Sequence, residues 1–165
     1  MIKKIIFFIA FLLLALVYSY HYAFGQRADN ETLIKNIMMY PMPHILARCQ
    51  KDYNYTDEDM IILEKELKRY LILSFVNDEA DLDTGMYSED VDNLWHTFIL
   101  FTNEYAAFCN EHFNRFMHHI PEIDTQSTPE ELEEDRKDFQ AFIKGYQEVF
   151  KEEIHPVWYL GIREG

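Results

Sequence analysis

From residue 27 onward no segment shows a convincing alternation of apolar and polar residues, the pattern a half-buried β-strand requires. Apolar residues recur instead at spacings of three and four, the period of an amphipathic helix. This restricts the chain to helices packed on one another. The expected class is all-α: a compact helical bundle preceded by one N-terminal hydrophobic helix. Asn30 is placed to cap a short helix to about Met39, ended by Pro41 and Pro43. Pro43 suits the first turn of a second short helix carrying Ile45, Leu46 and Cys49. Thr56 caps a long helix from Asp57 to about Val76, with Asp57, Glu58 and Asp59 in its first turn, where the helix dipole favours acids. Met60, Leu63, Leu67, Tyr70 and Leu71 form its buried stripe. Asn77 to Tyr87 reads as an acidic linker. Ser88 caps a helix that runs to Phe113, and Asn114 to Ser127 is a loop. Thr128-Pro129-Glu130-Glu131 combines a capping box with proline at the first helical position. Leu132, Phe139, Phe142, Ile143, Tyr146, Val149 and Phe150 then share one face. Ile154, Val157, Trp158, Tyr159 and Leu160 are expected to cover the end of the bundle.

The N-terminal helix is a membrane signal. Lys3 and Lys4 precede an apolar run, Ile5 to Val17, and no further charge appears until Arg27. Two readings compete. A cleavable signal peptide would end near Ala23-Phe24-Gly25. An uncleaved anchor would use Ile5 to Phe24, 20 residues, which as a helix spans about 30 Å, the thickness of the hydrocarbon core. Tyr18, Tyr20 and Tyr22 then lie at the interface. Bulky Tyr and His beside the cleavage site favour the anchor. The division is therefore 1–26 as anchor or signal peptide and 27–165 as one α-helical domain. The basic start sends that domain outward, so the expected location is a single-pass membrane protein with an extracytoplasmic domain. Export after cleavage is the alternative. Arg27 and Lys35 thin the charge bias, which leaves a cytoplasm-facing domain open.

Charge narrows the partners. With 15 basic and 29 acidic residues the net charge is −14. Such a surface repels phosphate backbones, so nucleic-acid binding is excluded as the main role. An apolar share of 48% excludes a disordered acidic tail. Two cysteines cannot staple a mini-protein, and five glycines leave no Gly-rich phosphate loop. The partners that remain are the membrane, through residues 5–24, and a basic protein.

One constellation bears chemistry. On the Ser88–Phe113 helix, Val91, Leu94, Phe98, Phe101, Tyr105, Phe108 and Cys109 fall on a broad apolar face. Asp92, His96, Asn103 and Asn110 line the other side. Asp92 and His96, four residues apart, meet on the helix surface. The following loop carries His118 and His119. Asp92, His96, His118 and His119 could together bind a divalent metal such as zinc, provided the loop returns to the polar stripe. A straight helix puts them at the edge of reach, whereas a break near Asn103 or Asn110 brings them together. The competing reading is a local Asp–His pair with a histidine pair on the surface. Cys109 and His112, three residues apart, could form an activated thiol, but Cys109 lies on the apolar face, where a cysteine packs. In an exported domain Cys49 and Cys109 could pair instead. Glu79 to Gly85 imitates the start of a calcium loop, but the glycine falls one position late.

The string Ser88-Glu89-Asp90-Val91-Asp92-Asn93-Leu94-Trp95-His96, with Tyr105, Phe108-Cys109 and His118-His119-Ile120-Pro121, resembles the core of the glycine-rich domain-containing protein-like family, over about residues 56–121. The resemblance implies a domain without an assigned reaction. Some members place a second histidine where this chain has Phe98, and the Gly-rich tail of the plant members is absent. Two functions follow as expectations. The first is a membrane-tethered helical domain of unestablished activity with an Asp/His-lined, metal-binding site. The second is a non-enzymatic acidic interaction module.

Overall fold

The computed structural model describes residues 30–78, 84–120 and 128–159. The expected hydrophobic helix at 5–24, residues 79–83 of the linker expected over 77–87, residues 121–127 of the expected loop and Leu160 lie outside them; Asn77 and Asp78 of that linker belong to the helix that starts at Asp57. Every element among the described residues is helical. Helix α1 covers residues 30–38, and Asn30 is itself helical. Then come α2 (Pro43–Tyr53), α3 (Asp57–Asp78), α4 (Glu89–Leu100), α5 (Thr102–Phe113), α6 (Pro129–Phe150) and a 3-10 turn, Pro156–Trp158. Contacts divide the chain into two units, 1–36 and 37–165. Residues 30–36 of the first are helical, and the second holds α2 through α6 and the 3-10 turn. Among the described residues no helix is long and apolar enough to cross a membrane.

The helix starts follow local chemistry. Thr56 Oγ1 accepts from the Asp59 amide at 3.1 Å, and the Asp59 carboxylate accepts from the Thr56 amide at 2.8 Å. Thr128 and Glu131 make the same reciprocal pair at the start of α6. Each pair satisfies amides that the first helical turn leaves without partners. Asn54, at the end of α2, takes the left-handed conformation (φ 57°) that asparagine tolerates.

Helix α3 is the centre of the domain: α2, α4 and α6 all pack on it. Its expected stripe, Met60, Leu63, Leu67, Tyr70 and Leu71, is buried. So are Glu66, Lys68, Arg69, Ile72 and Leu73, which makes the helix buried on every side from 66 to 73. Charges tolerate that burial only when paired. Lys68 Nζ donates to Tyr40 O at 2.7 Å, Met38 O at 3.2 Å and Glu64 Oε1 at 2.6 Å. Those two carbonyls close the end of α1. Glu66 accepts from the Tyr146 hydroxyl (2.9 Å to Oε2) and from Trp158 Nε1 (2.8 Å). Arg69 donates to the Tyr146 hydroxyl, pairs with Glu152 at 2.8 Å and lies over the Phe150 ring. Burial first, and Glu66 second, push the Tyr146 hydroxyl pKa up, so it stays a donor. This network ties α6 and the 3-10 turn to α3.

The apolar face of α6 is shorter than expected. Phe142 and Tyr146 are buried, and Phe139, Ile143, Val149 and Phe150 are partly so, but Leu132 is exposed. At the end of the bundle Val157 and Trp158 are buried while Tyr159 is exposed.

The largest departure is at Phe101. The expected single helix from Ser88 to Phe113 is two, because Phe101 (φ −82°, ψ 60°) leaves the helical region. Its amide bonds back to Phe98 O at 3.0 Å. The cause is packing. Tyr105 and Phe108 fold back on Phe98, with ring centroids at 5.1 and 5.3 Å. In a straight helix Phe98 and Tyr105 would stand about 10 Å apart along the axis. Cys49 and Cys109 are both buried and free, so the expected alternative of a disulfide does not hold. Burial raises the Cys109 thiol pKa and lowers that of His112, which makes Cys109 core packing and not an activated nucleophile.

Candidate metal centre

The break at Phe101 builds a site at the start of α4. Ser88 Oγ accepts from the Val91 amide at 3.3 Å and caps the helix. Tyr55 holds the same turn to the α2–α3 junction: its hydroxyl donates to Asp90 Oδ1 at 2.6 Å and accepts from Asn93 Nδ2 at 3.2 Å. Asp92 and His96 therefore project from a fixed turn, with Asp92 Oδ2 and His96 Nε2 at 3.6 Å.

The second half of the site comes from the loop after α5. Asn114 at the end of α5 takes the left-handed conformation (φ 52°) and turns the chain back. Tyr105, fully buried, accepts from Trp95 Nε1 at 3.0 Å and donates to Met117 O at 2.7 Å. That chain of bonds straps the loop across α4. Two residues on, the His119 ring lies against Trp95, centroids 4.5 Å apart, and its Nε2 sits 2.8 Å from Asp92 Oδ1. The His96 and His119 rings are 4.5 Å apart.

Of the four expected donors the structure brings three together. One ligand atom each from Asp92, His96 and His119 lies within 4.8 Å of the other two. His118 stays outside this group, its ring against Phe116 at 5.0 Å. Exposure alternates along the loop: Phe116, His118 and Ile120 are exposed, while Met117 and His119 are partly buried. That alternation selects His119. Within the trio, His119 is the least exposed side chain (12%), Asp92 is intermediate (23%) and His96 the most open (45%).

All three donors line a cleft of about 740 Å³, a volume suited to a small molecule. Tyr70, Tyr87 and Trp95 form its aromatic side, and Glu89 contributes a carboxylate. The Tyr70 hydroxyl donates to Thr84 O at 3.1 Å, which fixes the segment entering the cleft. A Cβ on Gly85 would come within 2.8 Å of the Tyr87 ring, so a larger residue there requires that ring to move. Neither Tyr87 nor the strap through Tyr105 is visible in the sequence. Tyr105 stands out there only as one position of the Tyr105, Phe108-Cys109 string, with nothing to mark a strap, and Tyr87 carries no motif.

The family assignment rests on a much longer stretch than the motif string. The family model of the UCP032817-like proteins, an uncharacterised family, matches residues 30–154, from α1 through α6. No curated protein and no solved structure matches the chain. The match overturns the resemblance carried by Ser88 to Pro121, in which a few aromatic, histidine and cysteine positions in order imitated another family's core. With α1 through α6 and all three converging donors inside the matched stretch, the chain belongs to the UCP032817-like family and not to the glycine-rich domain-containing proteins.

Proposed function

We propose that Asp92, His96 and His119 bind one divalent transition-metal ion, zinc or iron(II), at the wall of the cleft. The observation that carries this reading is the convergence of three donor atoms within 4.8 Å from two separate segments. Metal–ligand bonds of about 2.0–2.2 Å put tetrahedral donors about 3.3 Å apart, so a small rotation of the exposed His96 ring closes the set. Structural zinc sites are closed by four cysteine or histidine ligands, whereas catalytic ones keep three protein ligands and an open position. Three donors facing a cleft fit the second kind, and two histidines with one carboxylate also suit iron(II). Such an ion supplies Lewis acidity or an activated water. The chain's own part is to hold His119 by Trp95 and Asp92 and to leave His96 free to adjust.

The test is elemental analysis of protein purified without a histidine tag, followed by Co²⁺ titration of the metal-free form. One ion per chain is expected. Asp92→Ala and His119→Ala should weaken binding by on the order of 100-fold or more, beyond the 10–100-fold typical of outer-shell partners. His118→Ala should leave affinity unchanged. A wild-type chain that takes up no metal would overturn the reading. In that case the acidic surface and the exposed Phe116 and Ile120 favour the second one, a non-enzymatic module for a basic protein partner.

The apolar run Ile5–Val17 and the tyrosines after it support a membrane tether through residues 5–24, with the domain outside the cytoplasm. A reporter fused after Gly165 should be active outside the cytoplasm. Activity confined to the inside would reverse the orientation.

A further inference from the structure

We infer that Tyr105 is a positioning residue for the metal centre, acting on it entirely through His119. The inference rests on the proposed metal binding by Asp92, His96 and His119. Tyr105 is fully buried and touches none of the three donors by hydrogen bond. Its hydroxyl instead joins α4 to the loop from the core side, beneath the surface contacts of His119 with Asp92 and Trp95. It accepts from Trp95 Nε1 on α4, between Asp92 and His96, and donates to Met117 O in the loop. The phenol stays protonated because burial drives its pKa up, so the donor toward Met117 is permanent. Trp95 is also the ring on which His119 rests. One hydroxyl thus sets both the loop position that delivers His119 and the orientation of the surface that receives it.

The geometry makes the arrangement specific. Met117 and His119 share the inward side of the loop, two residues apart. A shift at Met117 O is carried to the His119 ring through the single intervening residue, His118, which is exposed at the rim of the same cleft. His96 and Asp92, one turn apart on a capped helix, do not depend on the strap. Loss of the hydroxyl should therefore misplace one ligand and spare two.

Tyr105→Phe keeps the ring and deletes the hydroxyl. Two measurements on the full chain test the inference. The first needs no metal: labelling by diethyl pyrocarbonate, read at His119 by peptide mass spectrometry. His119 should be slow in the wild type and about tenfold faster in Tyr105→Phe, with His96 and His118 unchanged. Equal His119 rates would overturn the strap. The second is Co²⁺ affinity and visible absorption. Tyr105→Phe should lose about 10–100-fold, the range for partners that orient a ligand. Its spectrum should move toward that of His119→Ala. In the His119→Ala background the same substitution should cost nothing further, since residues acting through one group are not additive. A full additional loss there would show that Tyr105 acts by general destabilisation. Val157→Ala, a buried truncation in the 3-10 turn, should lower stability without changing Co²⁺ affinity. If the wild type binds no Co²⁺, the metal reading fails, while the labelling result still decides the strap.

Discussion

Trp95→Ala is expected to cost about 3–5 kcal/mol, the usual range for truncating a well-buried large aromatic. Trp95 is 5% exposed. Tyr70 meets it edge-on at 5.2 Å, and His119 covers it at 4.5 Å. Truncation removes these contacts, leaves a cavity between α3 and α4, and takes from the Tyr105 hydroxyl its Nε1–H donor. A domain of this size is stable by only about 5–15 kcal/mol. The melting temperature, followed by circular dichroism, should fall by on the order of 10–20 °C. Trp95→Phe, which keeps a ring and loses only the donor and part of the volume, should fall much less. An unchanged melting temperature in Trp95→Ala would contradict the packing described.

Glu66→Ala is expected to cost a similar amount for a different reason. The carboxylate is 1% exposed and accepts from the Tyr146 hydroxyl and from Trp158 Nε1, with Arg69 Nη1 at 3.6 Å. Deleting it strands those donors. It leaves Arg69, itself buried, paired with the half-exposed Glu152. Breaking a buried pair from one side costs about 3–5 kcal/mol, whereas replacing both partners with apolar groups is often close to neutral. The double variant Glu66→Ala/Arg69→Met should therefore be more stable than Glu66→Ala alone. Urea denaturation measures both. A double variant at the sum of the single losses would show that the two charges act independently.

The helix starts were legible because their chemistry is local: Thr56 with Asp59, Ser88 with the Val91 amide, Thr128 with Glu131. The break at Phe101 was legible only as one alternative, a break near Asn103, and no local signal chose it. No glycine or proline lies between Ser88 and Phe113, and the turn is made by Phe98 meeting Tyr105 across the fold. The same holds for the charged stretch of α3. Glu66, Lys68 and Arg69 stand off its apolar stripe, and they are buried because Tyr146, Trp158 and the end of α1 supply partners from distant sequence. Within the site, Asp92 and His96 followed from helical spacing. The choice of His119 over His118 depends on which side of an extended loop turns inward, and Tyr105 sets that from the core.

The hairpin that Phe101 creates also bears on how the domain assembles. Asp92 and His119 are 27 residues apart. Closing a flexible loop of that length costs roughly 3 kcal/mol of chain entropy, and the cost grows only with the logarithm of length. The cap, the turn and the strap that locate His119 on Asp92 lie between Ser88 and His119, while Tyr55 braces the same turn from the α2–α3 junction. Contacts this close in sequence form early in folding, before distant pairings repay their entropy. The side chains of Asp92, His96 and His119 would then be gathered while α6 is still searching for α3.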